Sequence, residues 1–291
     1  MHASDTDEAV MTETRQANDG NAVTIGVLAL QGAFVEHITL LQKAAEELRL
    51  DHQQSNGVPN GSSSSGHTPP PLTIISVRTP LDLSRCSALV IPGGESTAIA
   101  LIAARTNLLQ PLREFVKVQR KPVWGTCAGL ILLAEVADRT KSTGQELIGG
   151  LDVRVESFEA ELELPFLHQG AGDGERRAFH SVFIRAPVVE EVLPANSSID
   201  ESAEGASVTA PALKATKADV EILARLPGRA KALKDRVTTA EELGEEGDIV
   251  AVRQGNVFAT AFHPELTGDG RIHRWWLGEV LGAVDRVGEG R

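Results

Sequence analysis

The chain has 291 residues and a formal net charge of −12, with 42% hydrophobic and 23% charged residues. That length allows one sizeable core, and the acidic balance argues against a nucleic-acid surface. Its two cysteines, Cys86 and Cys127, make no disulfide framework, and no apolar run approaches the ~18 residues of a membrane span, so a soluble, cytoplasmic protein is expected.

Residues 1–22 are polar and lack the charged and apolar regions of a secretory signal, so a disordered leader is expected there. A single domain is expected over 23–291. Val23–Leu30 reads as a buried strand. Phe34 to Leu50 has helical periodicity, with Phe34, Ile38, Leu41, Ala45 and Leu48 near one face. His37 on this helix reads, unaided, as a surface histidine. Residues near 52–71 are rich in Ser, Gly and Pro from Asn56 onward, and predict a flexible insertion. Thr73–Val77 and Ala88–Ile91 read as strands, with Cys86 structural. Pro92-Gly93-Gly94 then ends the second of these strands. Gly-Gly can turn an N–H towards a developing negative charge, though Pro-Gly and Gly-Gly are also common turn punctuation. Ala98–Ala104 and Pro111–Gln119 are expected to be helical. Pro122–Trp124 reads as a strand, and Ala128 to Val136 as a helix.

Cys127 therefore falls on a strand-to-helix turn between Gly125 and Gly129. A thiol at a helix N-terminus feels the positive end of the dipole and unpaired N–H groups, which favour the thiolate. Taken alone, it reads more readily as a small buried core cysteine.

The strand–helix alternation up to this point predicts βα units and a mostly parallel sheet. In such sheets the site lies at the carboxyl ends of the strands, where Gly32, Gly93–Gly94 and Cys127 all fall. The second half is richer in strands: Ala160–Leu164, Val182–Ile184, Ile222–Leu226, Ile249–Arg253 and Val257–Phe262. Further flexible insertions are expected near 168–180 and within 195–247. Asp248–Arg253 and Asn256–Ala261 look like a hairpin. It leads to Phe262-His263-Pro264-Glu265. In an extended segment residues two apart share a face, so Glu265 can orient the His263 imidazole. A thiol nucleophile needs such a base. Alone, His-x-Glu reads as a surface loop. Arg271–Leu281 is a plausible final helix, with Trp275 and Trp276 as packing residues. The sequence contains no metal-ligand cluster.

Several blocks in order resemble the glutaminase subunits of pyridoxal 5′-phosphate synthases, within the class I glutamine amidotransferases. They are Gly26-Val-Leu-Ala-Leu-Gln-Gly-Ala33, Glu36-His37, Pro92-Gly-Gly-Glu-Ser-Thr97, Gly125-Thr-Cys-Ala-Gly-Leu130, Ser157-Phe-Glu-Ala160, Val182-Phe-Ile-Arg-Ala-Pro187 and Phe262-His-Pro-Glu-Leu-Thr267. The resemblance implies a flavodoxin-like three-layer α/β sandwich. It implies Cys127 as nucleophile, His263 as general base and acid, and Glu265 as its orienting partner. It further implies glutamine contacts at Gly94, Glu95, Ser96, Ile184 and Arg185, and oxyanion donors at Gly94 and Ala128. For Arg185 a guanidinium is a natural partner for a substrate carboxylate. His37 lies in a block that the resemblance places near the partner contact.

The implied reaction converts L-glutamine and water to L-glutamate and ammonia, without a cofactor or metal. The implied partner is a (β/α)₈-barrel synthase subunit that consumes the ammonia in vitamin B6 biosynthesis; no nucleic acid or membrane is involved. One departure stands out. The family carries an arginine-bearing segment, one arginine of which contacts glutamine, before the Ser-Phe-Glu-Ala block. Here Val153-Arg-Val-Glu156 runs directly into Ser157. Two alternatives therefore stay open: a non-catalytic synthase-binding variant, and a γ-glutamyl hydrolase of the same fold.

Overall fold

The computed structural model describes residues 22–55, 70–137, 145–158, 186–193, 208–211, 218–226 and 248–288. The expected leader, most of the 52–71 insertion, and the range 168–180 lie outside them, as do Ala160–Leu164 and Val182–Ile184.

In chain order the elements are β1 (Val23–Leu28), α1 (Phe34–Ser55), β2 (Leu72–Val77), α2 (Pro80–Ser84), β3 (Ala88–Ile91), α3 (Ser96–Arg105) and α4 (Leu109–Arg113). There follow β4 (Val123–Thr126), α5 (Ala128–Leu133), β5 (Ala134–Ala137), β6 (Leu151–Phe158), β7 (Ala186–Val192), β8 (Val208–Thr209), β9 (Glu221–Leu226), β10 (Asp248–Gln254), β11 (Val257–Thr260) and α6 (Arg271–Gly288).

All these strands form one sheet, in the order β2-β1-β3-β4-β11-β10-β7-β6-β5-β8, with β9 also on β10. From β2 to β11 the pairings are parallel. Beyond β11 they are antiparallel except for β5 with β6. The sheet is thus mixed rather than mostly parallel, because the second half of the chain is built from hairpin-like returns that need no helical crossover. Helices cover both sides, with α1 packed along α6 and α3 against α4 and α5.

Parallel strands buried on both faces need continuous apolar runs, and β3 and β4 are buried at every residue. Trp124 is fully enclosed, among Phe258, Trp276 and two histidines of α1 and α6. Trp276 is buried, in keeping with a packing role.

Three elements depart from the sequence reading. The helix expected over Ala128 to Val136 stops at Leu133, where Ala134 turns extended (ψ 150) and starts β5. The edge pairings of β5 outweigh the helical preference of its alanines. Short α2 was not foreseen; it starts with Pro80 and a capping box in which Thr79 and Asp82 satisfy each other's backbone donors, a motif that contributes about 1 kcal/mol. Within 195–247, where a flexible insertion was expected, Val208–Thr209 pairs with β5, whereas Glu221–Leu226 pairs with β10 where a strand was expected over Ile222–Leu226.

Buried polar contacts tie the antiparallel part to the core. Lys117 Nζ lies 2.9 Å from Glu135 Oε1 and donates to Pro211 O. Gln254 donates to Asp152 Oδ2 at 2.9 Å and accepts from the Asp152 N–H at 2.7 Å.

Candidate active site

The carboxyl ends of β1, β3, β4 and β11 converge on one region, as a parallel sheet of this kind dictates. Cys127 follows β4 directly and is almost fully buried. Its backbone (φ 48, ψ −101) is one that side-chain-bearing residues rarely adopt. The conformation is held by the Cys127 N–H donating to Thr260 O (2.8 Å) and the Ile131 N–H donating to Cys127 O (3.2 Å). Such strain at a strand-to-helix turn lifts a nucleophile out of the sheet. Gly129 is required by close approach: a Cβ there would lie 2.1 Å from Ile91 O.

His263 follows β11, and its ring lies on the same side of Gly93 as Cys127: a Cβ on that glycine would be 2.2 Å from His263 Cε1 and 3.3 Å from Cys127 Cβ. Its Nδ1 lies 2.8 Å from Glu265 Oε1. The segment is not extended: Pro264–Leu266 forms a 3₁₀ turn with His263 at its start. The turn, rather than a strand face, folds the carboxylate back beneath the imidazole. Burial pushes the His263 imidazolium down, but the bonds to Cys127 and Glu265 outweigh this and raise it to about 10. Burial pushes the Glu265 carboxyl up, yet the facing His37 and His263 rings lower it to about 2. A thiol, an imidazole and a carboxylate are thus brought together, the set of groups that nucleophilic catalysis by cysteine requires.

Gly94 and Glu95 lie exposed on the turn after β3, and Ser96 opens α3 half-buried. The turn is braced by the loop before α1. The Glu95 N–H donates to Gln31 Oε1 (2.8 Å), and the Ala33 N–H donates to Gly93 O (3.1 Å). Across a trans peptide the Gly94 N–H therefore points away from that loop. Ser96 Oγ donates to Gln145 Oε1 at 3.0 Å. Ala128 is the first residue of α5, so its N–H has no intrahelical acceptor. Ile184 and Arg185 lie outside the described residues. Arg154, near the departure noted above, pairs across β6 and β7 with Glu191 (3.7 Å).

The sequence matches the SNO glutamine amidotransferase family over residues 27–224 and 215–282. The chain belongs to this family. It is 39% identical over 269 residues to the probable pyridoxal 5′-phosphate synthase subunit PDX2 of Arabidopsis thaliana, covering 88% of this chain and 85% of the relative. It is 34% identical to the pyridoxal 5′-phosphate synthase subunit PdxT of Herpetosiphon aurantiacus, covering 88% of this chain and all of that protein. A crystal structure described as a glutamine amidotransferase superposes with a TM-score of 0.53 at 31% identity, covering 89% of this chain and 98% of that one.

His37 was missed as a site residue. It is fully buried, with Nε2 3.2 Å from Glu265 Oε2. Its position did carry a signal. His37, Leu40, Leu41 and Ala44 share the buried stripe of α1, and the spacing i, i+3, i+4, i+7 is that of a core face.

No described helix is long and apolar enough to cross a membrane. The 630 Å³ cavity beside Trp275 and Pro122 lies at the amino ends of β3, β4 and β11, opposite Cys127.

Proposed function

We propose that the chain hydrolyses L-glutamine to L-glutamate and ammonia, and delivers the ammonia to the synthase subunit of a pyridoxal 5′-phosphate synthase. The observation that supports this reading is the His263–Glu265 pair set beside Cys127 at the strand-to-helix turn of a glutamine amidotransferase family member. The names of the relatives supply the synthase.

Cys127 Sγ attacks the side-chain amide of glutamine, its proton held by His263. The tetrahedral oxyanion is received by the N–H groups of Gly94 and Ala128, donors in place before charge develops. His263 protonates the departing ammonia, leaving a thioester on Cys127. Water, activated by the same imidazole, releases glutamate and restores the thiol. Glu265 keeps Nδ1 of His263 occupied, so that Nε2 serves the reaction. Glu95, Ser96, Ile184 and Arg185 contact the substrate in this reading. The chemistry uses no metal or cofactor. The partner is the (β/α)₈-barrel synthase subunit. A reduced thiol nucleophile suits the cytoplasm.

The continuous run through Glu156–Ser157 bears on affinity. β6 passes through this point, with Ser157 opposite Pro187 and Phe158 opposite Ala186, so the strand pairing accommodates the short connection. The contact carried by the family's extra segment is lost, and glutamine binding is correspondingly weak.

The test is ammonia release from glutamine by the full chain with and without its synthase subunit. Release that rises on adding the synthase supports the reading. Release indifferent to the synthase points to a free-standing hydrolase, and no release under either condition points to a non-catalytic subunit.

A further inference from the structure

We propose that His37 is a positioning residue of the glutaminase site, holding the outer oxygen of Glu265 and, through Thr126, the backbone of Gly93. The proposal rests on the functional reading above.

One ring nitrogen reaches both halves of the site. His37 Nε2 lies 3.2 Å from Thr126 Oγ1 as well as 3.2 Å from Glu265 Oε2. Thr126 Oγ1 in turn accepts the Gly93 N–H at 2.9 Å. The carboxylate behind the base and the turn beside the nucleophile thus share one anchor. All three side chains involved, His37, Thr126 and Glu265, are buried, so water cannot stand in for the imidazole. Glu265 Oε2 has no aligned hydrogen bond among the described residues, and its contact with His37 is the charge-stabilising one on that side.

A second histidine sets the orientation of the first. His37 Nδ1 lies 3.0 Å from His273 Nε2 on α6. His273 is fully enclosed, and burial pushes its imidazolium well below the ordinary range, so its ring is neutral. Its Nδ1 has no partner among the described residues. An unpaired buried lone pair costs less than an unpaired buried N–H. The single proton therefore sits on His273 Nε2 and is donated to His37 Nδ1. With Nδ1 accepting from His273, Nε2 is the His37 nitrogen left to donate, to Thr126 Oγ1 and alongside Glu265 Oε2. The edge of Trp124, with ring centroids 5.4 Å apart, closes the remaining side.

A buried histidine that only fills space would tolerate any replacement of similar size. A positioning histidine demands a donor at the Nε2 position. The test uses the full chain with its synthase subunit and compares His37→Gln, whose amide reaches the Nε2 position, with His37→Asn, whose amide reaches only the Nδ1 position. kcat and KM for glutamine are measured on both, with Tm to compare stability. Alkylation of Cys127 by iodoacetamide is followed without glutamine, with Cys127→Ala as the blank.

His37→Gln is expected to keep most of the wild-type kcat. His37→Asn is expected to fall about tenfold or more below it, with KM within about threefold, since small misplacement of reacting groups lowers the rate rather than binding. Cys127 alkylation should follow the same order. Equal kcat and equal alkylation in the two variants would overturn the proposal. If the wild-type chain releases no ammonia, the functional reading fails by itself. The alkylation order then still decides whether His37 positions the Cys127–His263 pair.

Discussion

His263 Nδ1 and Glu265 Oε1 meet at 2.8 Å across a single proline, because the 3₁₀ turn starting at Pro264 folds the carboxylate back onto the ring. In the proposed mechanism the carboxylate orients the imidazole and supports its charge, but takes no part in bond making. Glu265→Gln should therefore lower kcat less than His263→Ala, and both should leave KM for glutamine within a few-fold of wild type. Steady-state ammonia release on purified variants checks this. A Glu265→Gln loss exceeding that of His263→Ala would contradict the assigned roles.

The same pair makes stability depend on pH. Glu265 is lowered from 4.5 to about 2, so its contribution is present above pH 4.5 and lost as pH falls through about 2. His263 is raised from 6.5 to about 10, so its contribution is complete below pH 6.5 and lost as pH rises through about 10. The pair thus supports the fold most between pH 4.5 and 6.5. Wild type minus Glu265→Gln in unfolding free energy should be on the order of 3 kcal/mol in that window and shrink towards pH 2. Urea titrations at several pH values measure it, and a pH-independent difference would contradict the cause given for the Glu265 shift.

Gly93 has no room for a side chain. A Cβ there would lie 2.2 Å from His263 Cε1 and 3.3 Å from Cys127 Cβ. Gly93→Ala must displace the imidazole or the turn. It should cost about 1–3 kcal/mol of stability and about a hundredfold in turnover. Wild-type turnover in a folded Gly93→Ala variant would mean that the ring has room the structure denies it.

The junction at Glu156–Ser157 predicts weak substrate binding. A hydrogen bond to a charged group is worth roughly 1.5–3 kcal/mol, which at ~1.4 kcal/mol per tenfold is about ten- to hundredfold in affinity. Arg154 pairs with Glu191. Inserting a family-like arginine segment between Glu156 and Ser157 should lower the apparent glutamine KM by that factor. An unchanged KM would show that another group already makes the contact.

The parallel half of the fold was legible because each of its elements announces itself locally. β3 was expected over Ala88–Ile91 and spans those residues, and the hairpin ahead of Phe262 turns at Gly255, between the two runs read as its arms. Cys127 was legible for the same reason, as its turn is written in adjacent residues. The switch from α5 to β5 was not, since Ala134–Ala137 is a strand only by virtue of β6 and β8, partners distant in sequence. His37 was missed for a related reason. The periodicity of α1 was legible, with Leu41 buried and Phe34, Ile38, Ala45 and Leu48 packed against the core, but His37, Leu40 and Ala44, which complete the buried stripe, were left off that face. A polar residue on a core stripe becomes visible as a site residue only once Glu265, far along the chain, is brought beneath it.

The account stands most directly on one measurement: ammonia release from L-glutamine by the full chain with its synthase subunit, wild type against Cys127→Ala. Wild type should release ammonia at a rate that depends on the synthase, while Cys127→Ala, folded with a similar Tm, should release none above background, since loss of a nucleophile costs many orders of magnitude. Equal release by the two proteins would contradict the assignment of Cys127, and with it the site built around that residue.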